Sequence, residues 1–279
     1  MVSPSQRRAA AEVIMGELDV SQRKACQIVG ISRTTLRRPL AATSAADPDA
    51  AFRQHLREYA AKHPRWGYRR AHHDAVNSGW RVNHKKTQRI WREEGLRVPV
   101  RRRRKRRGES TTAPVRAVHP NHVWAIDFQY DTTDDGRRFR SVSIIDEYTR
   151  ESLADHTAVS ITGSDVVALI DRIAARRGYS KVLRCDNGPE FVCSTVAAWA
   201  GQNLQLLFIP PGQPWHNGYV ESFHSRQRDE CLNINIFGTV TEARAVITRW
   251  HKEYNTIRPH SALGYKTPVA YAADYAEVA

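Results

Sequence analysis

The sequence is poor in cysteine, in long apolar runs and, over its first half, in acidic residues. Its four cysteines, Cys26, Cys185, Cys193 and Cys231, are scattered and form no C-x-x-C pair. That argues against a disulfide scaffold or a zinc ribbon and fits a reducing cytosol. No run of about 18 apolar residues occurs, which excludes a transmembrane helix, and no membrane partner is expected. Residues 1–10 hold neither an apolar core nor a small-residue cleavage site, so no secretory signal is expected and a cytoplasmic location is.

The remaining feature of the composition is positive charge. The 279 residues carry a formal net charge of +14, and a chain this basic is expected to have a polyanionic partner, with nucleic acid the first candidate. The charge is uneven. Residues 1–117 hold 27 Lys+Arg against 10 Asp+Glu, whereas residues 118–279 hold 16 against 19. The divide follows the run Arg101, Arg102, Arg103, Arg104, Lys105, Arg106, Arg107, which repels itself and reads as an extended linker. A solvated charge run is the plain alternative. Beside a basic domain, a contact that tracks the DNA backbone with strong salt dependence is the favoured reading.

The basic half divides into two helical units. In residues 21–38, Ala25, Ile28 and Val29 recur at helical spacing, Gly30 breaks the helix, and Ser32 can cap a second, basic helix that begins at Arg33 and stops at Pro39. Helix, glycine turn and capped basic helix make a helix-turn-helix over residues 1–45, with Arg33, Arg37 and Arg38 aimed at DNA. An ordinary helical hairpin is the competing reading. A second helical module is expected over residues 46–98: one helix around Phe52, Leu56, Tyr59 and Ala60, ended by His63-Pro64, then helices over 67–76 and 83–93. Arg65, Arg69, Arg70, Lys85, Lys86 and Arg89 are its candidate DNA contacts. Trp66, Trp80 and Trp91 among these cations could stack on bases, but a small aromatic core is the favoured reading.

After a basic linker at 99–117 the periodicity changes. Residues 123–128 and 140–145 read as strands around the Asp134-Asp135-Gly136 turn, and 151–158 as a third. A helix over 164–175, a strand over 181–184, a helix over 193–200, a strand over 205–209 and a helix over about 216–228 follow. This order implies an α/β fold with a mixed five-stranded sheet. Asp127 sits inside an apolar strand, and Asp186 where an apolar strand opens into Asn187-Gly188. Each needs a partner or a metal, because burying a lone carboxylate is costly. A salt-bridged strand acid for Asp127 and a turn-forming Asp for Asp186 are the plain readings. Glu221, on the last of these helices, would by itself pass as a surface residue.

The blocks WAIDF at 124–128, RCDNGPEF at 184–191 and PGQPWHNGYVESF at 211–223 together resemble the catalytic core of insertion-sequence transposases of the retroviral-integrase type. Thirty-four residues separate Asp186 from Glu221, close to that family's Asp-Asp-Glu spacing. The likeness extends through Arg228 to Asn233, through Tyr254-Asn255 and Arg258 to Gly264, and back to His63 to Arg69. It is closest to the second reading frame (OrfB) of two-frame elements. The resemblance implies an RNase H-like core over 118–235, a C-terminal helical extension over 236–279, and Asp127, Asp186 and Glu221 as catalytic residues and ligands of two Mg²⁺ ions, with Mn²⁺ an alternative. It implies double-stranded DNA as partner, both terminal repeats and target, a homo-oligomer on that DNA, an upstream-frame protein as further partner, and a bacterial nucleoid. Asn187, His224 and Arg228 are accessory candidates; for the last two, contact with the scissile phosphate and a plain surface role stand level. Asp146 and Glu190 are expected to be structural.

Three functions fit these features. The first is a transposase that cuts and joins DNA. The second is a non-catalytic DNA-binding regulator, or a partial product completed by frameshift fusion. The third is a plain RNase H-like nuclease. Joining activity separates the first from the others. In the C-terminal extension, Ala243, Val246, Ile247, Trp250 and Tyr254 form one helix face, expected to pack on the catalytic sheet.

Overall fold

A computed structural model describes residues 4–37, 47–98, 115–210 and 214–276. Two compact units divide within one helix, the first running to Gln54 and the second from His55. No helix among the described residues is long and apolar enough to cross a membrane.

The first unit contains α1 (Pro4–Glu17), α2 (Gln22–Val29) and α3 (Arg33–Arg37). Ser21 caps α2 by accepting from the Lys24 N–H at 3.4 Å. Gly30 ends α2 at φ +67°, a left-handed conformation that favours glycine. Ser32 Oγ accepts from the Thr35 N–H at 3.0 Å and so starts α3. Ala11, Ala25, Cys26 and Leu36 form the core of this unit. Two features differ from expectation. Ile28 is 57 % exposed, because the buried stripe of α2 runs through Ala25 and Cys26 instead. Helix α1 was not read from the sequence; it enters the core through Ala11, with Ile14 and Met15 packed partly buried against it.

The second unit opens with α4 (Ala50–Lys62, from His55 onward), α5 (Tyr68–Asn77) and α6 (His84–Glu93). Trp66 and Trp91 are buried around Tyr59, with ring centres 6.2 and 6.5 Å from it; Trp80 is half-buried against His55. The aromatic-core reading therefore fits Trp66 and Trp91.

The sheet comprises β1 (Val123–Thr132), β2 (Arg138–Asp146), β3 (Ser152–Ala158), β4 (Val182–Cys185) and β5 (Gln205–Phe208) in the order β3-β2-β1-β4-β5. β1–β2 and β2–β3 are antiparallel, while β1–β4 and β4–β5 are parallel. This is the expected mixed five-stranded sheet. Helix α7 (Gly163–Arg177) follows β3, and α8 (Pro189–Val192) and α9 (Ser194–Asn203) follow β4; α7 and α9 cover one face, where Trp124, Ile126, Leu183 and Cys185 meet Val166 and Ile170. Helices α10 (Gly218–Glu230) and α11 (Val240–Thr256) cover the other, where Ala125 and Ile145 meet Val220, Phe223, Ile247 and Trp250. Helix α12 (Pro268–Ala276) is the last described element. Strand alternation makes this division: even residues of β1 face α7, and odd residues face α10.

Candidate active site

The parallel ladder of β1 on β4 pairs Val123 with Val182, Trp124 with Leu183 and Ala125 with Arg184. Continuing that register by two residues sets Asp127 level with Asp186, both on the α10 face. Two acids far apart in the chain thus become neighbours, Asp127 midway along β1 and Asp186 just past the end of β4. Asp186 follows the last residue of β4, and its Oδ1 accepts from the Gly188 N–H at 3.0 Å. Asn187 ties the turn down by donating from Nδ2 to the Ile209 carbonyl at 2.8 Å. A Cβ on Gly188 would stand 3.0 Å from Asp186 Oδ1, a tight contact that would press on the carboxylate. Burial pushes the Asp186 carboxyl above the ordinary aspartate value; the Gly188 N–H pulls it down, and the negative charges of Asp127 and Glu190 add to the rise.

Asp127 Oδ1 accepts from the Phe128 N–H at 2.8 Å, and its Oδ2 lies 3.4 Å from His224 Nδ1. His224 is 8 % exposed, on the face of α10 turned to β1. Gln129 Nε2 donates to the His224 carbonyl at 3.2 Å, and Arg228 donates to Asp131 Oδ2 at 2.9 Å and to the Tyr130 carbonyl. Helix α10 is therefore strapped along β1 by its own polar face. Glu221 occupies the first turn of that helix, exposed, on the side of His224 and Arg228. Among the described residues, no group of three His, Cys, Asp or Glu side chains is close enough to hold a metal ion. Asp127 and Asp186 are brought together; Glu221 stands on the helix beside them without closing a three-acid cage.

Asp146 and Glu190 have structural employment. Asp146 is fully buried and accepts from the backbone N–H groups of Asn121, Tyr148 and Thr149 at 2.7, 2.8 and 3.0 Å. Glu190 pairs with Arg140.

The far end of α10 carries an arrangement that sequence reasoning missed. Glu230, buried, accepts from Arg258 Nε and Nη2 at 2.7 and 2.6 Å and from Trp66 Nε1 at 3.1 Å, with Arg70 Nη1 at 3.8 Å. Asp229 pairs with Arg65. The blocks around Trp66, Glu230 and Arg258 thus meet at one carboxylate. The only signal in the sequence was their joint presence.

The DNA-contact candidates fall into distinct environments. Arg33 and Arg37 are exposed on α3, Arg37 donating to Gln22 Oε1 at 2.9 Å. Arg69 and Lys85 are exposed, Lys86 is half-buried, and Arg89 pairs with Glu93 at 2.8 Å. Arg65 and Arg70 are engaged inside the second unit, Arg70 also donating to the Pro259 carbonyl at 3.2 Å. Arg38 and Arg101 to Arg107 lie outside the described residues.

Residues 117–214 and 202–268 match the Integrase core domain family, and residues 47–104 match the HTH-like domain family. An insertion element IS407 protein of Burkholderia multivorans is 40% identical over 94% of this chain and 94% of its own length. An insertion element IS476 protein of Xanthomonas euvesicatoria is 38% identical over 98% of this chain and 79% of its own. The chain belongs to the insertion-sequence transposases with an integrase core. A further member, the transposase for insertion sequence element IS904 of Lactococcus lactis, is 27% identical over 58% of this chain and 68% of its own. The HTH-like match covers α4 to α6, so this family feature falls on the second helical module and not on α2 and α3.

Proposed function

We propose that the chain is a DNA transposase that binds the ends of an insertion sequence, cleaves them and joins them to target DNA. The observation that carries this reading is the placement of Asp127 level with Asp186, beneath a helix bearing Glu221, in a chain of this family.

The donor set fits hard divalent cations. Both strand acids present carboxylate oxygens, and Asp186, raised chiefly by burial and further by the charge of Asp127, would be stabilised in its charged form by a bound cation. Asp127, Asp186 and Glu221 would hold two Mg²⁺ ions, or Mn²⁺ in their place. Such ions supply charge neutralisation at the attacked phosphate and favour deprotonation of the attacking hydroxyl. Asp127, fixed through Oδ2 by His224, sets the centre of the site; the Asn187–Gly188 turn aims Asp186; α10 brings in Glu221. In cleavage, a water oxygen bonds to phosphorus and the 3′-oxygen leaves with a proton. In joining, that 3′-hydroxyl attacks a target phosphodiester and releases another 3′-hydroxyl. The exposed cations of α3, α5 and α6, with the basic linker, hold the DNA backbone. A homo-oligomer bridging two ends, together with an upstream-frame protein in a bacterial nucleoid, completes the reading.

The test is a strand-transfer assay with Mg²⁺ or Mn²⁺ on labelled DNA ending in the element's terminal repeats. Joined product is expected from the wild type and none from Glu221→Gln. Tight DNA binding without joined product, also in a fusion to the upstream frame, would show a regulator instead.

A further inference from the structure

The flank of α10 away from Asp127 opens on a cavity of about 240 Å³ lined by four arginines from four separate segments. Arg70 comes from α5, Arg150 from the turn between β2 and β3, Arg226 from α10 and Arg258 from the segment after α11. Ser222 and Ser261 add hydroxyls. A single carboxylate, Glu230, touches two of the four arginines and is shared between them. Arg226 makes no hydrogen bond or ion pair among the described residues. Arg150 holds a left-handed backbone at φ +63°, unusual for a residue with a Cβ. Its guanidinium lies 3.7 Å from the centre of the Tyr219 ring and donates to the Glu147 carbonyl. Both features fix its charge at the cavity mouth.

The cavity has an excess of positive charge, and its titratable members register it. Burial, together with the positive charges of Arg258 and Arg226, pulls Arg70 down to about 10 against the pull of Glu230. Burial followed by Arg258, Arg70 and Arg150 pushes His260 down to about 3. An enclosed group of like charges of this kind is stabilised by an anion with several acceptor oxygens.

We propose that this cavity binds a backbone phosphodiester of the same DNA strand that passes over Asp127 and Asp186. The proposal rests on the transposase reading above and extends it to a second phosphate site. The faces of α10 give the reason for a strand instead of a free anion. Val220, Phe223 and Gln227 are buried; Glu221 and His224 lie to one side of that stripe, and Ser222 and Arg226 to the other. Across the exposed crest of a helix about 10–12 Å in diameter, the two sides stand roughly 10 Å apart. That equals the advance of about three nucleotides at 3.4 Å each. Ser222 and Arg226 are exposed at the mouth, while Arg258 is buried below.

The test uses the full chain carrying Asp127→Asn, so that DNA is bound and not cut. Its Kd for labelled end DNA is measured by fluorescence anisotropy as salt is raised. Arg226→Gln and Arg150→Gly each remove one guanidinium; the first is a surface change, and glycine suits the backbone at 150. Each is expected to lower the slope of log K against log salt by about one and to weaken binding roughly 5-fold. The double variant should lose no more than about one in slope, because both arginines serve one phosphate. Arg172→Gln, an exposed arginine on α7, should match the parent. Slopes and Kd equal to the parent in both variants, with the parent itself binding steeply, would overturn this site and leave the transposase reading standing. A parent that binds no DNA would overturn both. A rise in Tm with inorganic phosphate that Arg226→Gln abolishes, with an unchanged DNA slope, would assign the cavity to a free anion and refute the DNA-strand assignment.

Discussion

Replacing Arg258 with alanine should destabilise the second unit substantially, and the effect should depend on pH in a defined direction. Glu230 is buried and receives two charge-assisted hydrogen bonds from Arg258 and one from the Trp66 indole. Truncating Arg258 leaves a buried carboxylate with Trp66 and with Arg70 at 3.8 Å. Stranding one partner of a buried ion pair costs about 3–5 kcal/mol, and the remaining arginine places the expectation at the lower end, near 3 kcal/mol. For a unit of this size that corresponds to a fall in Tm of roughly 6–12 °C. Burial alone would raise the Glu230 carboxyl, but Arg258 overcomes it and holds the group below the ordinary glutamate value. The stability this supplies is present above the ordinary glutamate pKa and is lost as pH falls through the depressed one. Without Arg258, burial acts unopposed, the carboxyl rises, and protonation relieves the variant. The deficit of Arg258→Ala should therefore be largest at neutral pH and shrink toward acid. Urea unfolding followed by tryptophan fluorescence at several pH values measures it. A loss below about 1 kcal/mol at pH 7, or one that grows toward acid, would refute the account of Glu230 as the carboxylate that fastens α10 to the preceding helices and to the chain after α11.

Other consequences can be checked separately. Asp127→Asn, Asp186→Asn and Glu221→Gln should each abolish strand transfer while end-DNA binding survives; loss of binding alongside activity in all three would contradict their assignment. Asp146→Ala removes the acceptor of three backbone N–H groups and should cost about 3 kcal/mol in denaturant unfolding, with joining activity per folded molecule retained. Gly188→Ala places a Cβ 3.0 Å from Asp186 Oδ1 and should reduce strand transfer more than it reduces Tm; equal activity would show that the turn has slack.

Much of this molecule is written in local signals. The embedded acid of β1, the Asp-Asn-Gly turn after β4, the cap at Ser32 and the left-handed Gly30 depend on residues within one or two turns of chain, where spacing and side-chain chemistry act directly. The order of strands and helices follows from the same periodicities, and the motif blocks point to the family. Charge partners are another matter. That Arg70 lies beside a buried glutamate and is not freely exposed depends on Glu230, which reaches it only once α5 and the end of α10 are brought together by folding. Ile28 fits a helical stripe in the sequence, yet it stays exposed because α1 meets Ala25 and Cys26. The alignment of Asp127 with Asp186 is a matter of register between two parallel strands, and a shift of one residue would turn one of them to the opposite face. Local sequence determined which residues could carry charge and chemistry. Tertiary packing alone decided which of them meet, because an ion pair, a strand register and a cavity are all made of groups brought together from distant parts of the chain.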